Sequence, residues 1–369
     1  MNETTKYMLA LSLTPYLGPI TARRLIDYYG KVEDIFQKKK SEFIRIPGFG
    51  SETIQKIDLK KGLEFADDEL RFCTRNSIEI IAYNDPRYPK RLTQCPDAPL
   101  VIFVKGNVEI LKSKKSLAIV GTRHATHYGK AVVEKIVDEI HDRGHQLVVV
   151  SGLAYGIDSI AHRSALKHKL PTIAVLGHGL DKIYPAQHKS LADEILRDGG
   201  VILTEFGHKT SFEKANFIRR NRIIAGLSDA VLIAESGITG GALITAEYAN
   251  NYNRDVFAIP GKVDDEYSAG CNALIKKNKA ALCETFQDIE YLMQWNVVSS
   301  GKIHQPTLFP VLTDEEETVL ELFDDDKPVS VDYLSAKLAI PVQKISSILL
   351  EMEFKGLLIA MPGNQYRKL

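Results

Sequence analysis

The sequence predicts an α/β protein built on a doubly wound, Rossmann-like parallel sheet, with a helical module before the sheet and a winged helix after it. Three observations carry that expectation. From about Lys115 to Gln294, short apolar runs alternate with amphipathic stretches, as repeated βαβ units require. Residues up to about Ile80 are helical in pattern and carry an apolar-Gly-apolar-Gly turn. Beyond a stretch containing Ser299, Ser300, Gly301, Pro306 and Pro310, the remaining chain reads as three helices and a short hairpin.

Residues 1–80 are the expected helical module. Within it, "IPGFGSETIQKI" has the helix-hairpin-helix pattern, in which backbone amides at the start of the second helix can hold a phosphate. The earlier "YLGPITARRLIDYYG" has a similar shape and reads as its degenerate partner in a SAM-like arrangement. A Pro-Gly turn between packed helices can equally be only a turn. Residues 81–296 are the sheet domain, with strands expected at "SLAIVG", "LVVVSG", "TIAVLG", "VILTEF", "AVLIAES", "VFAIPG" and "ALCET". Several end in Gly where a helix then begins, and several are apolar throughout, as strands covered on both faces should be. Residues 297–312 are the linker. Residues 313–369 are the winged helix, with its hairpin turning at Pro362-Gly363. Such modules often bind DNA. Here Asp314 to Glu317 and Asp324 to Asp326 would repel a phosphate backbone, which favours a structural or protein-contacting role.

Composition narrows the function. The 369 residues are 44% hydrophobic and 25% charged, ordinary for a globular protein of two or three domains. Lys plus Arg and Asp plus Glu both number 47, so no global basic field advertises a polyanion and any such site must be local. Cys73, Cys95, Cys271 and Cys283 form no C-x-x-C pair and read as reduced, buried thiols. No signal peptide and no run near the roughly 20 apolar residues of a membrane span are present, which places the protein in the cytoplasm. His124/His127 and His141/His145 have helical spacing without an evident third ligand, so no metal is expected.

In a doubly wound sheet, ligands bind beyond the carboxyl ends of the strands. After "LAIV", Gly121, Thr122 and Arg123 form a loop that opens a helix near His127 or Tyr128; backbone donors plus one Arg make a phosphate cradle, without the G-x-G-x-x-G spacing of dinucleotide sites. After "LVVV", Ser151 and Gly152 begin "SGLAYGIDSIAH", whose glycines let backbone approach a ligand. Asp158 and His162 stand at i, i+4. A hydrolase would use Ser151, His162 and Asp158 as nucleophile, base and orienter, but G-x-S-x-G is missing; a His–Asp pair bracing the loop is the plainer reading. "GHGLDKIYPAQH", "TEFGHKT" and "SGITGGALITAEYA", with Gly240 and Gly241 opening a helix, complete the rim.

The stretch "NFIRRNRIIAGLSDAVLIAES" crowds arginines at the start of a helix, the end that already carries partial positive charge. At about 100° per residue, Phe217, Ile223, Ile224 and Leu227 define an apolar stripe. Arg220 falls within it, and a core-facing cation needs an anion: a carboxylate such as Glu205, or a phosphate. Arg219 points off the stripe as a solvated cation. Arg222 also points off it, which predicts the more available phosphate ligand.

Together "IVGTRHATHYGK", "VVSGLAYGIDSIAH", "AVLGHGLDKIYP", "RNRIIAGLSDAVLIAES", "GGALITAEYA", "VFAIPG" and "SAGCNALIKKNKA" resemble, in order, the DprA (Smf) family of bacterial DNA-processing proteins. That resemblance implies a non-enzymatic protein, without cofactor, that binds and protects single-stranded DNA taken up in natural transformation and helps load the RecA recombinase. It also implies a homodimer through the α/β domain. Carried over residue by residue, the family's DNA pocket falls on Arg123, the Ser151-Gly152 loop, and Arg220, Asn221 and Arg222. Lys262, after "IPG", joins them from its place at a strand end. Two positions depart. Ala186 follows Tyr184-Pro185 where the family often has Lys, so a phosphate contact there is lost or passes to Lys189 or Lys182. Phe217-Ile218 replaces the usual Phe-Pro, leaving Phe217 as a base-stacking ring. Two alternatives stand beside this reading. One is a phosphoribohydrolase-like enzyme that binds a nucleotide monophosphate on the same rim, against which the unmatched Gly-Thr step of its Gly-Gly-x-Gly-Thr-x-x-Glu loop counts. The other is a single-strand binder in general DNA repair.

Overall fold

The computed structural model describes residues 3–46, 49–295, 312–323, 328–361 and 364–368. The chain divides into two compact units, Met1–Val297 and Val298–Leu369.

The first unit is centred on a nine-stranded sheet of order β1-β2-β6-β5-β4-β3-β7-β8-β9. The strands are β1 (Glu79–Ala82), β2 (Val101–Gly106), β3 (Ser116–Val120), β4 (Val148–Ser151), β5 (Thr172–Leu176), β6 (Val201–Thr204), β7 (Ala230–Ile233), β8 (Asp255–Ala258) and β9 (Ala281–Leu282). From β6 across to β9 every neighbouring pair is parallel, and these are the strands expected from the apolar runs. β1 and β2 were not anticipated. β2 runs antiparallel to β6, and β1 antiparallel to β2, so the sheet is mixed at one edge. They join through a segment whose only helix is the single turn Lys90–Thr93, too short for the crossover a parallel pair would need.

Both faces of the parallel strands are covered, and the side-chain period of two splits the core accordingly. Ala118, Val120, Val148, Val150, Ile173 and Val175 belong to one cluster. Leu117, Ile119, Leu147 and Val149 belong to the other. The helices His127–Asp142, Ile157–Lys167, Lys189–Arg197, Lys214–Leu227 and Gly241–Asn251 follow the strands in the alternating order a βαβ chain dictates.

Ahead of the sheet, the helices Glu3–Leu13, Pro19–Tyr29, Ser51–Lys56 and Leu59–Arg75 bury Leu9, Leu11, Leu25, Phe43 and Ile57 in a core they share with Ala82 of β1 and Val101 and Phe103 of β2. The longest of them is capped by Asp58, whose carboxylate accepts from the backbone amides of Lys60 and Lys61. It buries Leu59, Gly62, Ala66, Glu69 and Cys73, one residue every third or fourth position. Of the expected helix-hairpin-helix, Pro47 and Gly48 lie outside the described residues; Gly50 precedes the short Ser51–Lys56 helix without a side-chain cap.

In the second unit the helices Asp314–Leu320, Val331–Leu338 and Val342–Phe354 precede a hairpin of β11 (Leu358–Met361) and β12 (Gln365–Lys368), with β10 (Val329–Ser330) pairing β12. The winged-helix pattern is therefore present; its turn at Pro362-Gly363, and Asp324 to Asp326, lie outside the described residues. Part of the acidic run is spent internally. Glu316 is buried, closes a capping box with Thr313, and holds the Lys355 ammonium at 2.6 Å.

Candidate nucleic-acid interface

From β3 the chain winds outward through β4, β5 and β6, then returns to β3's other side for β7, β8 and β9. The loops leaving β3 and β7 therefore part in opposite directions and open a crevice at their carboxyl ends. A cavity of about 1010 Å³ occupies that place. Five successive loops build its wall, contributing Thr122 and Arg123, Ala154, Lys182 and Tyr184, Phe212, and Gly240 with Gly241.

The loop after β3 is fixed by backbone. Thr122 donates to the Glu235 carbonyl at 2.8 Å and its own carbonyl accepts from Ile157 at 3.1 Å. Gly156, at φ 73°, passes so close that a Cβ there would sit 2.3 Å from the Thr122 oxygen. The following helix starts at His127 because Thr126 caps it, accepting from the Gly129 amide at 3.2 Å. The Glu235 carboxylate in turn accepts from the Thr126 amide at 2.9 Å. Arg123 is left exposed, without an ion-pair partner among the described residues, and its guanidinium lies 6.0 Å from the Phe217 ring.

Arg220 forms the floor. It is 5% exposed, and its guanidinium donates to the carbonyls of Gly152 and Val175 and to Asn221 Oδ1 at 3.1 Å. Asn221 donates onward to the Gly241 carbonyl at 3.2 Å, tying the Lys214–Leu227 helix to the start of Gly241–Asn251. Burial pulls the Arg220 pKa down, partly opposed by Asp158, and Arg123 pulls it further down. Burial likewise pushes the Asp158 carboxyl up, against the pull of Arg220 and of the Ala154 amide. Arg220 on the floor and Arg123 at the rim thus both act on one carboxylate, Asp158, whose ionisation is itself resisted by burial, which leaves a local deficit of negative charge in a chain of zero net charge.

One wall is aromatic. Phe212 stacks on His178 at 4.9 Å, and Tyr184 lies 5.6 Å from both Phe212 and Phe217. Tyr184 and Phe212 are 46% and 40% exposed, and the Lys182 ammonium sits 4.4 Å from the Phe212 ring. Of the substitutes proposed for the missing Lys at Ala186, Lys182 lines the cavity, whereas Lys189 pairs with Asp193 on its own helix. Tyr184 and Phe212 are rim residues that the motifs did not single out as ligands. The signal for them was the strand-end rule applied to every loop, irregular ones included.

Several expected residues stand elsewhere. Arg222 is the main correction. It is 5% exposed, donates to the Asp97 carbonyl, and pairs with the Glu205 carboxylate and, at 3.8 Å, with Asp97. It faces Asp97 and Glu205 rather than solvent, because the segment joining β1 to β2, which was not foreseen as packing here, lies against this helix through Lys90–Thr93 and Asp97. Glu205, expected to hold Arg220, holds Arg222 instead. Arg219 is a surface cation, 3.9 Å from Glu205. Ser151 lies beneath the floor, its hydroxyl donating to the Ile119 carbonyl at 2.7 Å. His162 is fully buried with Nδ1 2.7 Å from Thr172 Oγ1, so neither a Ser–His relay nor a bracing His–Asp pair forms. Asp158 braces the loop alone, through the Ala154 amide at 3.3 Å. Lys262 is exposed on the loop after β8 and does not line the cavity.

Fold and cleft define a Rossmann-type α/β protein with a cationic, aromatic-walled site at its switch point, followed by a winged helix. The chain belongs to the DNA recombination-mediator protein A family, DprA or Smf, whose model matches residues 79–294; the DprA winged-helix model matches residues 305–364. Protein Smf of Synechocystis sp. is 32% identical over 398 aligned residues, covering 100% of this chain and 99% of that protein. DNA processing protein DprA of Streptococcus pneumoniae is 44% identical over 205 residues, 56% of this chain and 71% of that protein. The X-ray structure of DNA processing protein A from Streptococcus pneumoniae superposes with a TM-score of 0.65 at 34% identity, covering 79% of this chain and 98% of that one. DNA processing protein A from Helicobacter pylori, solved for its single-stranded DNA binding mode, gives 0.52 at 28% identity over 59% and 96%. No described helix is long and apolar enough to cross a membrane.

Proposed function

We propose that this chain binds single-stranded DNA in the strand-end cleft, protects strands taken up during natural transformation and hands them to a RecA-type recombinase, without itself catalysing a reaction. The observation that carries the binding is the pairing of a charge deficit, Arg123 and Arg220 against Asp158, with the exposed rings of Tyr184 and Phe212. A phosphate supplies the missing charge, and an unpaired base supplies a face for the rings, worth roughly 1–3 kcal/mol per base. A duplex hides its bases and offers the rings nothing. Gly240 and Gly241 bring uncapped helix-start amides to the same cavity, which suits a backbone phosphate.

Delivery to a recombinase, assembly as a homodimer through the α/β domain and a cytoplasmic location belong to the same reading, supported by membership of the family. Fluorescence anisotropy with labelled oligothymidylate and a duplex of equal length tests the binding. Tighter binding of the single strand, displaced by unlabelled single strand and not by mononucleotides, is expected. Tight mononucleotide binding with indifference to strandedness would overturn it in favour of a nucleotide-cleaving enzyme on this rim.

A further inference from the structure

The loop that carries Phe212 into the cleft runs from β6 to the Lys214–Leu227 helix, and its far side is held by the amino-terminal helical module. Glu69, on the Leu59–Arg75 helix, is 5% exposed and spends its carboxylate on this loop. It accepts from the His208 backbone amide at 2.9 Å and lies 2.7 Å from His208 Nδ1. Phe72, from the same helix, stacks on the His208 ring at 4.3 Å with the planes 9° apart. Asp68 adds the Lys209 ammonium at 2.5 Å.

The contact is close enough to dictate sequence. A Cβ on Gly207 would lie 2.8 Å from a Glu69 oxygen, and a Cβ on Gly179 would lie 2.5 Å from the His208 Cα. Gly179 follows His178, the residue on which Phe212 stacks at 4.9 Å. On its other flank the loop is held by Asn216, whose amide donates to the Ser211 carbonyl at 3.1 Å. Phe212 therefore projects from a loop pinned at His208 and again at Ser211, directly before it, and the first pin belongs to the helical module.

We infer that Glu69 is a positioning residue for single-strand binding: through His208 it sets the loop that presents Phe212 to a base, so the amino-terminal module tunes the aromatic wall without touching DNA. This rests on the reading of the cleft as a single-strand site. The module's contribution is then to stacking and not to phosphate contact.

That separation gives the test. Single-strand affinity is measured for the full chain, for Glu69→Ala, for Phe212→Leu and for the double variant, each across a salt series. Glu69→Ala is expected to weaken binding about tenfold, the size of one lost stacking contact, with the slope of log affinity against log salt unchanged. The Phe212→Leu loss should shrink in the Glu69→Ala background, because both act on one ring. Circular dichroism checks folding. If Glu69→Ala does not fold, His208→Ala carries the same comparison, since it removes the ring and leaves the backbone amide on Glu69. Additive losses, a changed salt slope, or wild-type affinity in a folded variant would overturn the inference. A full chain that ignores single strands would instead refute the function on which it rests.

Discussion

Arg222 buries its guanidinium against Glu205 and Asp97, with side chains only 5% and 6% exposed for the Arg222–Glu205 pair. Removing one member of such a pair strands the other in a medium that does not solvate it, so Arg222→Ala should cost about 3–5 kcal/mol in urea unfolding. Single-strand affinity of the molecules that remain folded should be unaltered, because Arg222 does not line the cavity. Arg220 differs in kind. Its partners are carbonyls and a reluctant carboxylate, so it braces the fold and the floor of the proposed site together. Arg123 has only the edge of the cleft to face. A helical wheel ranked these residues correctly for Arg220, which it placed in the stripe, and wrongly for Arg222. The wheel assumes one buried face, and this helix is covered on two.

At the scale of elements, the parallel strands were legible because burial on both faces demands unbroken apolar runs, and β3 to β8 have them. β1 and β2 were not. β1 follows directly on a long helix and exposes Glu79, and β2 stands apart from the alternation that marks βαβ units. The helix after β4 carries a consequence of its own. His162 is fully buried there, and burial, with the charges of Arg220 and His188, pushes its pKa from 6.5 to about 3. The unfolded chain therefore binds a proton that the folded chain refuses. The stabilisation is complete above about pH 6.5 and is lost as pH falls towards 3, at about 1.4 kcal/mol per pH unit once the unfolded histidine is protonated. Urea unfolding between pH 7 and 4 should show this slope reduced by about one proton in His162→Gln, which keeps a polar partner for Thr172. An unchanged slope would mean that His162 accepts its proton in the fold.

For the molecule as a whole, the division at Val297 and Val298 separates two units with independent cores. Every residue of the proposed cleft lies in the first. A chain ending at Val297 should keep single-strand affinity within about twofold and melt cooperatively. A large loss would move part of the site to the winged helix, whose acidic first helix argues against it. The family was legible because its motifs sit at strand ends, where the fold concentrates ligand contacts. Of the aromatic wall only Phe217 was, because Tyr184 and Phe212 lie on irregular loops whose convergence only the tertiary structure creates. The claim that joins these scales is that Arg123 meets a DNA phosphate, and the salt dependence of single-strand binding tests it most directly. Log affinity should fall linearly with log salt in the wild type, and Arg123→Ala should lower both the affinity and the slope, the latter by about one. An Arg123→Ala protein with the wild-type slope and affinity would contradict it.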